Sequence, residues 1–209
     1  MSIHHSPFER VTAVTDVLMG LLAVYAAIQL AQFSGFKPDV WMWVFGLLAF
    51  SSFLGAAAHG FEMTKKTNDR FWMPINLSLG LALGLFVVGA LFDLSGEPLA
   101  RNSLPLMLVV GFGFFLVTVW NPGTFMTFIV YEAVAMLFAL GVYVYLFFVS
   151  TLSGVEWMVA GVFVTILAAV VQATGKAGKG IFWYFDNNGI FHLIQMIGLF
   201  FLLAGLIWG

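Results

Sequence analysis

The sequence contains no cysteine, which excludes disulfide bonds, thiolate metal ligands and a cysteine nucleophile. Charged residues make up only 9% of the 209 residues, and the formal net charge of -2 favours neither nucleic acid nor an anionic surface as a partner. A basic leader is also lacking before the first apolar run, which begins near Val11 and continues for a full membrane-spanning length. We therefore expect that run to remain as the first transmembrane helix and not to be cleaved as a signal peptide.

Most residues of the sequence are hydrophobic. They make up 62% of the chain, aromatic residues make up 17%, and the mean hydropathy is +1.02. No soluble domain of ordinary composition approaches these values. Apolar runs of about 20 residues predict an all-α, polytopic membrane protein in which residues 1–209 form a single seven-helix transmembrane bundle. The predicted spans are 11–33, 39–62, 71–94, 103–120, 124–150, 155–175 and 187–208.

Short clusters of charged or turn-forming residues separate the predicted spans. They include residues 37–39, 65–70, 95–98 and 121–123. The distribution of basic residues around these clusters predicts the orientation, because positively charged loops tend to stay in the cytoplasm. The side that holds the N-terminus would carry Arg10, Lys65, Lys66, Arg70, Lys176 and Lys179, whereas the opposite side would carry Lys37 and Arg101. The N-terminus is therefore expected in the cytoplasm and the C-terminus outside.

Polar side chains within the predicted spans fall at the N-terminal side of the bundle once the helices are threaded back and forth. Each costs free energy in the membrane unless it faces the protein interior and finds a partner, so their convergence indicates a site. The set is Asp16, His59, Asn76, Glu132, Gln172, Asn188, His192 and Gln195. On the last helix, Asn188, His192 and Gln195 share one face, and Asp186 with Asn187 is predicted to cap the helix start.

The fourth span offers little polarity beyond Thr118, so we predict a peripheral or partner-facing position for it. In the third span, Gly80 and Gly84 form a GxxxG pattern, which lets helices approach closely. We favour a contact within the bundle, with contact between two copies of the chain as the alternative.

The two histidines within spans, His59 and His192, are candidate metal ligands. Two imidazoles with one carboxylate, supplied by Asp16 or Glu132, are a sufficient ligand set for catalytic zinc and leave a position open for water. The alternative is that each histidine is a buried residue hydrogen-bonded to a neighbouring helix.

Candidate catalytic residues come from the same polar set. A bound metal would polarise a lipid amide or ester carbonyl and activate its water. Glu132 or Asp16 would take the proton, and Asn76 or Asn188 would stabilise the oxyanion. A membrane lipid would then be both partner and substrate.

Two short segments resemble a known superfamily. Residues 55–59 (GAAAH) place a histidine late in the second span, and residues 188–192 (NGIFH) place one in the last span. Together with the seven predicted spans, they resemble the CREST superfamily, which includes alkaline ceramidases and the progestin and adiponectin receptors, and within it a bacterial branch of ceramidase-like proteins. The resemblance implies a zinc site near the cytoplasmic side, amide hydrolysis of a lipid and a bacterial inner-membrane location.

The sequence departs from that superfamily at three positions. Gly55 stands where the superfamily has a serine, and Asn188 stands where it has a first histidine on the last helix. On the third helix Asn76 occupies the buried face where the superfamily has an aspartate. His59 and His192 are therefore the ligands that carry over from the resemblance.

Other functions stay open from the sequence. A non-catalytic receptor-like protein, or a structural subunit with a homo-oligomeric or membrane-complex partner, fits an incomplete metal motif. His59 and His192 would alternatively serve as the two axial ligands of one haem. Proton or ion transfer would use the intramembrane carboxyl groups of Asp16 and Glu132.

Overall fold

Seven long helices make up most of the structure, a computed structural model that describes residues 2–121 and 126–208. Within those residues, each helix is long and apolar enough to cross a membrane, which confirms the all-α seven-helix fold of an integral membrane protein. The helices are α1 (Pro7–Leu30), α2 (Phe36–Gly60), α3 (Lys65–Ser95), α4 (Glu97–Trp120), α5 (Met126–Val149), α6 (Val155–Thr174) and α7 (Asn187–Ile207). Two short strands, β1 (Ser2–Ile3) and β2 (Phe61–Glu62), pair antiparallel at the N-terminal end.

Residues 65–70, predicted as a connection, form the first turns of α3 instead. The Thr64 hydroxyl caps this helix by accepting a hydrogen bond of 3.2 Å from the Thr67 backbone N–H. Within the first turns of the helix, Lys65 and Asp69 form an ion pair of 2.7 Å. The charged residues therefore belong to the helix here, because Thr64 caps it before them and they pair with each other along it.

The predicted connection at residues 95–98 is shorter than expected. Gly96, at a positive φ of 81°, is the one residue between α3 and α4, and Pro98 lies in the first turn of α4, where a proline loses no hydrogen bond. Helix α4 therefore begins earlier than predicted. Residues 122–125, which include most of the predicted turn at 121–123 and the first residues of the fifth predicted span, lie outside the described residues.

Six helices form a ring, and α4 lies outside it. Around the ring the order is α1, α2, α3, α5, α6 and α7, and α7 contacts α1 again. The outer helix packs along α3 through glycines. A Cβ atom on Gly80 would lie 2.6 Å from the carbonyl oxygen of Gly111, and one on Gly84 would lie 2.6 Å from that of Met107. This confirms both the peripheral position of α4 and the GxxxG contact within the bundle.

A buried polar cluster connects α2, α3 and α5 at the end of the bundle opposite the N-terminus. Lys37 Nζ lies 2.6 Å from Asp93 Oδ1, and the Tyr143 hydroxyl donates to Asp93 Oδ2 at 3.0 Å. Tyr143 is fully buried, and the Asp93 side chain is 2% exposed. Both carboxylate oxygens are thus satisfied, which lets a charge lie at this depth.

Candidate functional site

A cavity of about 470 Å³ occupies the centre of the six-helix ring. Every helix of the ring contributes to its wall, and α4 contributes none of the lining residues in the described part of the chain. On α2 the lining runs from Trp41 to His59, and at about 1.5 Å per residue that stretch covers about 27 Å. The cavity is therefore long in the direction that crosses the membrane.

The two ends of this cavity differ in chemistry. The end far from the N-terminus is lined by aromatic and aliphatic side chains, among them Trp41, Phe45 and Phe86. The end on the N-terminal side is lined by imidazole, carboxyl and amide groups: Asp16, His59, Glu132, Gln172, Asn187, Asn188, His192 and Gln195. The helices thus enclose an amphipathic space.

Unpaired polar atoms are concentrated around this space. Among the described residues, every buried side-chain polar atom without a hydrogen-bond partner belongs to a residue that lines the cavity. These atoms are Asp16 Oδ2, Trp41 Nε1, Ser52 Oγ, Glu132 Oε2, Gln172 Oε1, Asn187 Oδ1 and Gln195 Oε1. Native proteins leave few such groups unpaired, so a cluster of them calls for a bound molecule or water.

His192 is held between α1 and the cavity. Its Nδ1 atom lies 2.9 Å from the Thr15 hydroxyl, and that hydroxyl donates its proton to the Thr12 carbonyl at 2.9 Å. Since a hydroxyl has a single proton, the Thr15 oxygen accepts from an N–H at Nδ1. The Nε2 atom of His192 faces Asp16 Oδ1 at 3.4 Å, a distance at which a protonated imidazole would form an ion pair with the carboxylate.

His59 is held at the opposite edge of the polar end. Its Nδ1 atom lies 2.7 Å from Glu9 Oε2, and its ring packs edge-on against Trp72 with centroids 5.7 Å apart. His59 also lines a second, more polar depression on the N-terminal side, together with Glu62 and Lys65. The imidazole of His59 therefore lies between this depression and the central cavity.

The predicted convergence of polar residues is confirmed for most of the set. The residues brought together around the cavity are Asp16, His59, Glu132, Gln172, Asn188, His192 and Gln195. Asn76 is half-buried on α3 and is not among the lining residues, whereas its neighbour Ile75 is. A rotation of about 100° per residue takes Asn76 off the cavity face.

The sequence prediction missed Glu9 and Asn187. Glu9 precedes Asp16 by seven residues, which is two helical turns, and the shared face would have been visible had the first helix been predicted to begin at Pro7. Asn187 was interpreted as a cap, but the Asp186 carboxylate caps α7 alone by accepting from the backbone N–H groups of Asn188 and Gly189. The Asn187 side chain instead donates to the Gln172 carbonyl at 3.0 Å and lines the cavity.

The two histidines have one feature of metal ligands. Each has its Nδ1 atom engaged, His59 with Glu9 and His192 with Thr15, which is the outer hydrogen bond that orients a ligating imidazole. Within residues 2–121 and 126–208, however, no three histidine, aspartate or glutamate side chains lie close enough together to hold an ion. Zinc and haem binding therefore stay predictions.

A family model covers the entire cavity. It matches residues 11–208 and describes a family of unknown function, DUF6962. The chain belongs to this family. All lining residues from Asp16 to Leu202 lie within the DUF6962 match, whereas Glu9 precedes it. No curated protein and no solved structure matches the chain.

Proposed function

We propose that this protein binds an amphipathic lipid in the central cavity, with the polar head among the amide, carboxyl and imidazole groups and the hydrocarbon chain directed toward Trp41. The observation that supports this proposal is that unpaired polar atoms of Asp16, Glu132, Gln172, Asn187 and Gln195 lie at one end of the cavity. At the other end, aromatic and aliphatic side chains leave Trp41 Nε1 as the one unpaired buried polar atom among the described residues. Binding without turnover would correspond to a receptor-like role.

Energetics favour an occupant with hydrogen-bonding groups. An unpaired buried polar group costs about 1–3 kcal/mol, and a ligand head that bonds to several of them recovers that free energy. The volume of about 470 Å³ lies within the range of about 300–1,000 Å³ of small-molecule sites. The aromatic far end favours a hydrocarbon chain over a small ion, because a bare ion gains nothing from apolar surface.

A second candidate function is hydrolysis of a lipid amide or ester, supported by the distance of 3.4 Å between His192 Nε2 and Asp16 Oδ1. Water would attack the carbonyl carbon and give its proton to this pair, which would return it to the leaving amine or alcohol. The side-chain amide of Asn188 would donate to the oxyanion, and Glu132 offers a further carboxyl group.

The metal-dependent form of this reaction is the one that the CREST resemblance implies. To hold zinc, His59 and His192 would have to move closer to each other and to Asp16 or Glu132 than they lie in the described part of the chain, and the bound ion would supply Lewis-acid activation of the carbonyl. We further propose a cytoplasmic N-terminus in a bacterial inner membrane, which places the polar end of the cavity in the cytoplasmic half. The excess of lysine and arginine on that side supports the orientation.

Lipid binding is tested by mass spectrometry of lipids that co-purify with the protein in nanodiscs. Ser52 is buried and lines the cavity, so Ser52→Phe fills the space, whereas Gly46→Phe on the same helix points into open space and serves as the control. We expect a single-chain amphipathic lipid to co-purify with the wild type and with Gly46→Phe, and to be lost from Ser52→Phe. Equal lipid content in folded samples of both variants would refute the proposal.

Hydrolysis is tested separately, with N-acyl and O-acyl lipids as substrates. We expect release of fatty acid by the wild type and at least a hundredfold loss of rate in Asp16→Asn and His192→Gln, in line with the usual contribution of acid–base catalysis. Lipid binding without any release of fatty acid would leave the receptor-like role as the function.

A further inference from the structure

A groove on the outer surface of the bundle lies apart from the central cavity. It has a volume of about 660 Å³ and runs along α1 beside α7 and the loop that precedes α7. Its lining residues are Pro7, Arg10, Val11, Val14, Thr15, Leu18, Trp183, Tyr184, Phe185 and Leu193. From Pro7 to Leu18 it covers about 16 Å of helix, close to half of the hydrocarbon thickness of about 30 Å. The groove therefore has the depth of one leaflet.

The deeper part of the groove is apolar. Val11, Val14 and Leu18 follow one another at helical spacing on α1, and Leu193 faces them from α7. Val14 is 59% exposed and Leu18 is 48% exposed in the bundle alone. Since α1 is long and apolar enough to cross a membrane, this surface suits contact with the acyl chains of membrane lipids.

The shallow end of the groove carries an exposed cation, Arg10, whose guanidinium group makes no ion pair or side-chain hydrogen bond with any residue that the structure describes. An arginine at this depth offers a planar donor set that suits a phosphate group. Lys176 and Lys179, also exposed, lie in the loop that leads to the same edge of α7 and add positive charge on this side.

An aromatic turn borders the cation. The backbone of Ile181 donates to the Phe185 carbonyl at 2.8 Å, and this turn presents Trp183, which is 73% exposed and has a positive φ of 49°. Tyr184 packs edge-on against Phe8 at 6.0 Å, which fixes the turn to the start of α1. Tryptophan and tyrosine prefer the headgroup layer, so the turn lies at the level where a phosphate would be.

From this arrangement we propose that the groove binds one anionic phospholipid of the leaflet on the N-terminal side, with its phosphate at Arg10 and one acyl chain along Val11, Val14 and Leu18. The site is separate from the central cavity. Thr15 forms the wall between them, because it lines the groove and its hydroxyl bonds to His192, which lines the cavity.

The test uses the full chain in nanodiscs of phosphatidylglycerol and phosphatidylcholine, washed with detergent and analysed by native mass spectrometry. We expect stoichiometric phosphatidylglycerol on the wild type and about a fivefold lower retention on Arg10→Gln, the effect of one basic residue at an anionic surface. Arg70→Gln removes an exposed charge on the same side, outside the groove, and is expected to retain phosphatidylglycerol as the wild type does.

A second pair of variants tests the apolar part. Val14→Trp fills the groove and is expected to lose the lipid, whereas Leu21→Trp, at an exposed position of the same helix outside the groove, is expected to keep it. Ser52→Phe, which fills the central cavity, is expected to leave phosphatidylglycerol retention unchanged. Equal retention of the two lipids, equal effects of both arginine variants, or displacement by free glycerol phosphate would each overturn the proposal.

Discussion

The carboxyl group of Asp16 occupies the space left by the missing side chain of Gly55. A Cβ atom on Gly55 would lie 3.0 Å from Asp16 Oδ2 and 3.2 Å from Asp16 Cγ. The glycine on α2 therefore lets the α1 carboxyl reach the cavity beside His192. The space that a larger side chain at position 55 would fill is here occupied by a group from another helix.

Gly55→Ala is expected to displace this carboxyl group. Because the new methyl group would lie 3.0 Å from Asp16 Oδ2, closer than an ordinary van der Waals contact, the carboxyl group must shift; we expect the free energy of unfolding to fall by about 1 kcal/mol and lipid retention to weaken. Denaturant titration in mixed micelles and lipid mass spectrometry measure the two effects. Gly46→Ala, whose Cβ would meet nothing within 4 Å, is the control, and its higher helix propensity alone is expected to raise stability by about 0.5–1 kcal/mol. Wild-type stability and binding in Gly55→Ala would contradict the packing described here.

The Glu132→Gln variant tests whether the carboxyl group of Glu132 serves the function of the protein or its stability. Glu132 is 5% exposed and its Oε2 atom has no partner, so a neutral amide of the same size removes a group that is costly to bury. We expect stability equal to or above that of the wild type, together with weaker lipid retention or slower turnover. The exposed Glu156→Gln variant serves as the control and is expected to change neither quantity. A loss of stability above about 1 kcal/mol in Glu132→Gln would show that the carboxylate has a structural partner.

The ion pair between the partly buried Lys37 and the buried Asp93 is expected to be far more important for stability than the exposed pair between Lys65 and Asp69. Lys37→Met leaves the Asp93 carboxylate, 2% exposed, without its cation, and we expect a loss of about 3–5 kcal/mol. Lys65→Met breaks a pair that is 86% and 54% exposed, with an expected loss below about 1 kcal/mol.

A combined variant checks the reason for that difference. Changing Lys37→Met, Asp93→Leu and Tyr143→Phe together removes every member of the polar cluster, so no charge or hydroxyl stays buried without a partner. We expect most of the lost stability to return. If the triple variant is less stable than Lys37→Met alone, the cluster stabilises the fold in its own right.

Metal content decides among the cofactor predictions. The zinc-dependent interpretation predicts stoichiometric zinc in the purified protein, lost from both His59→Ala and His192→Ala, and loss of turnover on chelation. The haem interpretation predicts a Soret band in the absorption spectrum, lost from the same variants. Thr174→Ala, at an exposed position near the end of α6, is the control for metal or haem lost during purification and is expected to match the wild type. If wild-type protein that binds lipid or releases fatty acid shows neither zinc nor a Soret band, the proposed function is lipid binding or hydrolysis without a metal.

The sequence was sufficient to predict the seven helices, because each apolar run is long enough to cross a bilayer and is bounded by polar residues. The starts of α1, α3 and α4 were predicted several residues too late, since charged residues were interpreted as loops. In the structure, Glu9, Lys65 and Glu97 belong to the first turns of these helices, at the level where side chains still reach water.

The depth of a residue along its span could be predicted, and depth alone was enough to bring His59 and His192 to the same end of the bundle. Contacts between helices could not be predicted, because they depend on the rotation of each helix and on which helix lies next to it. The pairs of Thr15 with His192 and of Lys37 with Asp93 are of this kind.

Helix α4 faces outward and, in the described part of the chain, does not line the central cavity, so its outer surface and the cavity have different tasks. Its outward surface carries large exposed side chains such as Val109, at 68%, and none of its residues touches the space where the chemistry would occur. Substitutions there are free to alter assembly with other proteins or sorting between membranes while the ligand still meets the same surroundings. The outward surface of α4 and the lining of the cavity are thus two parts of the protein that can change independently.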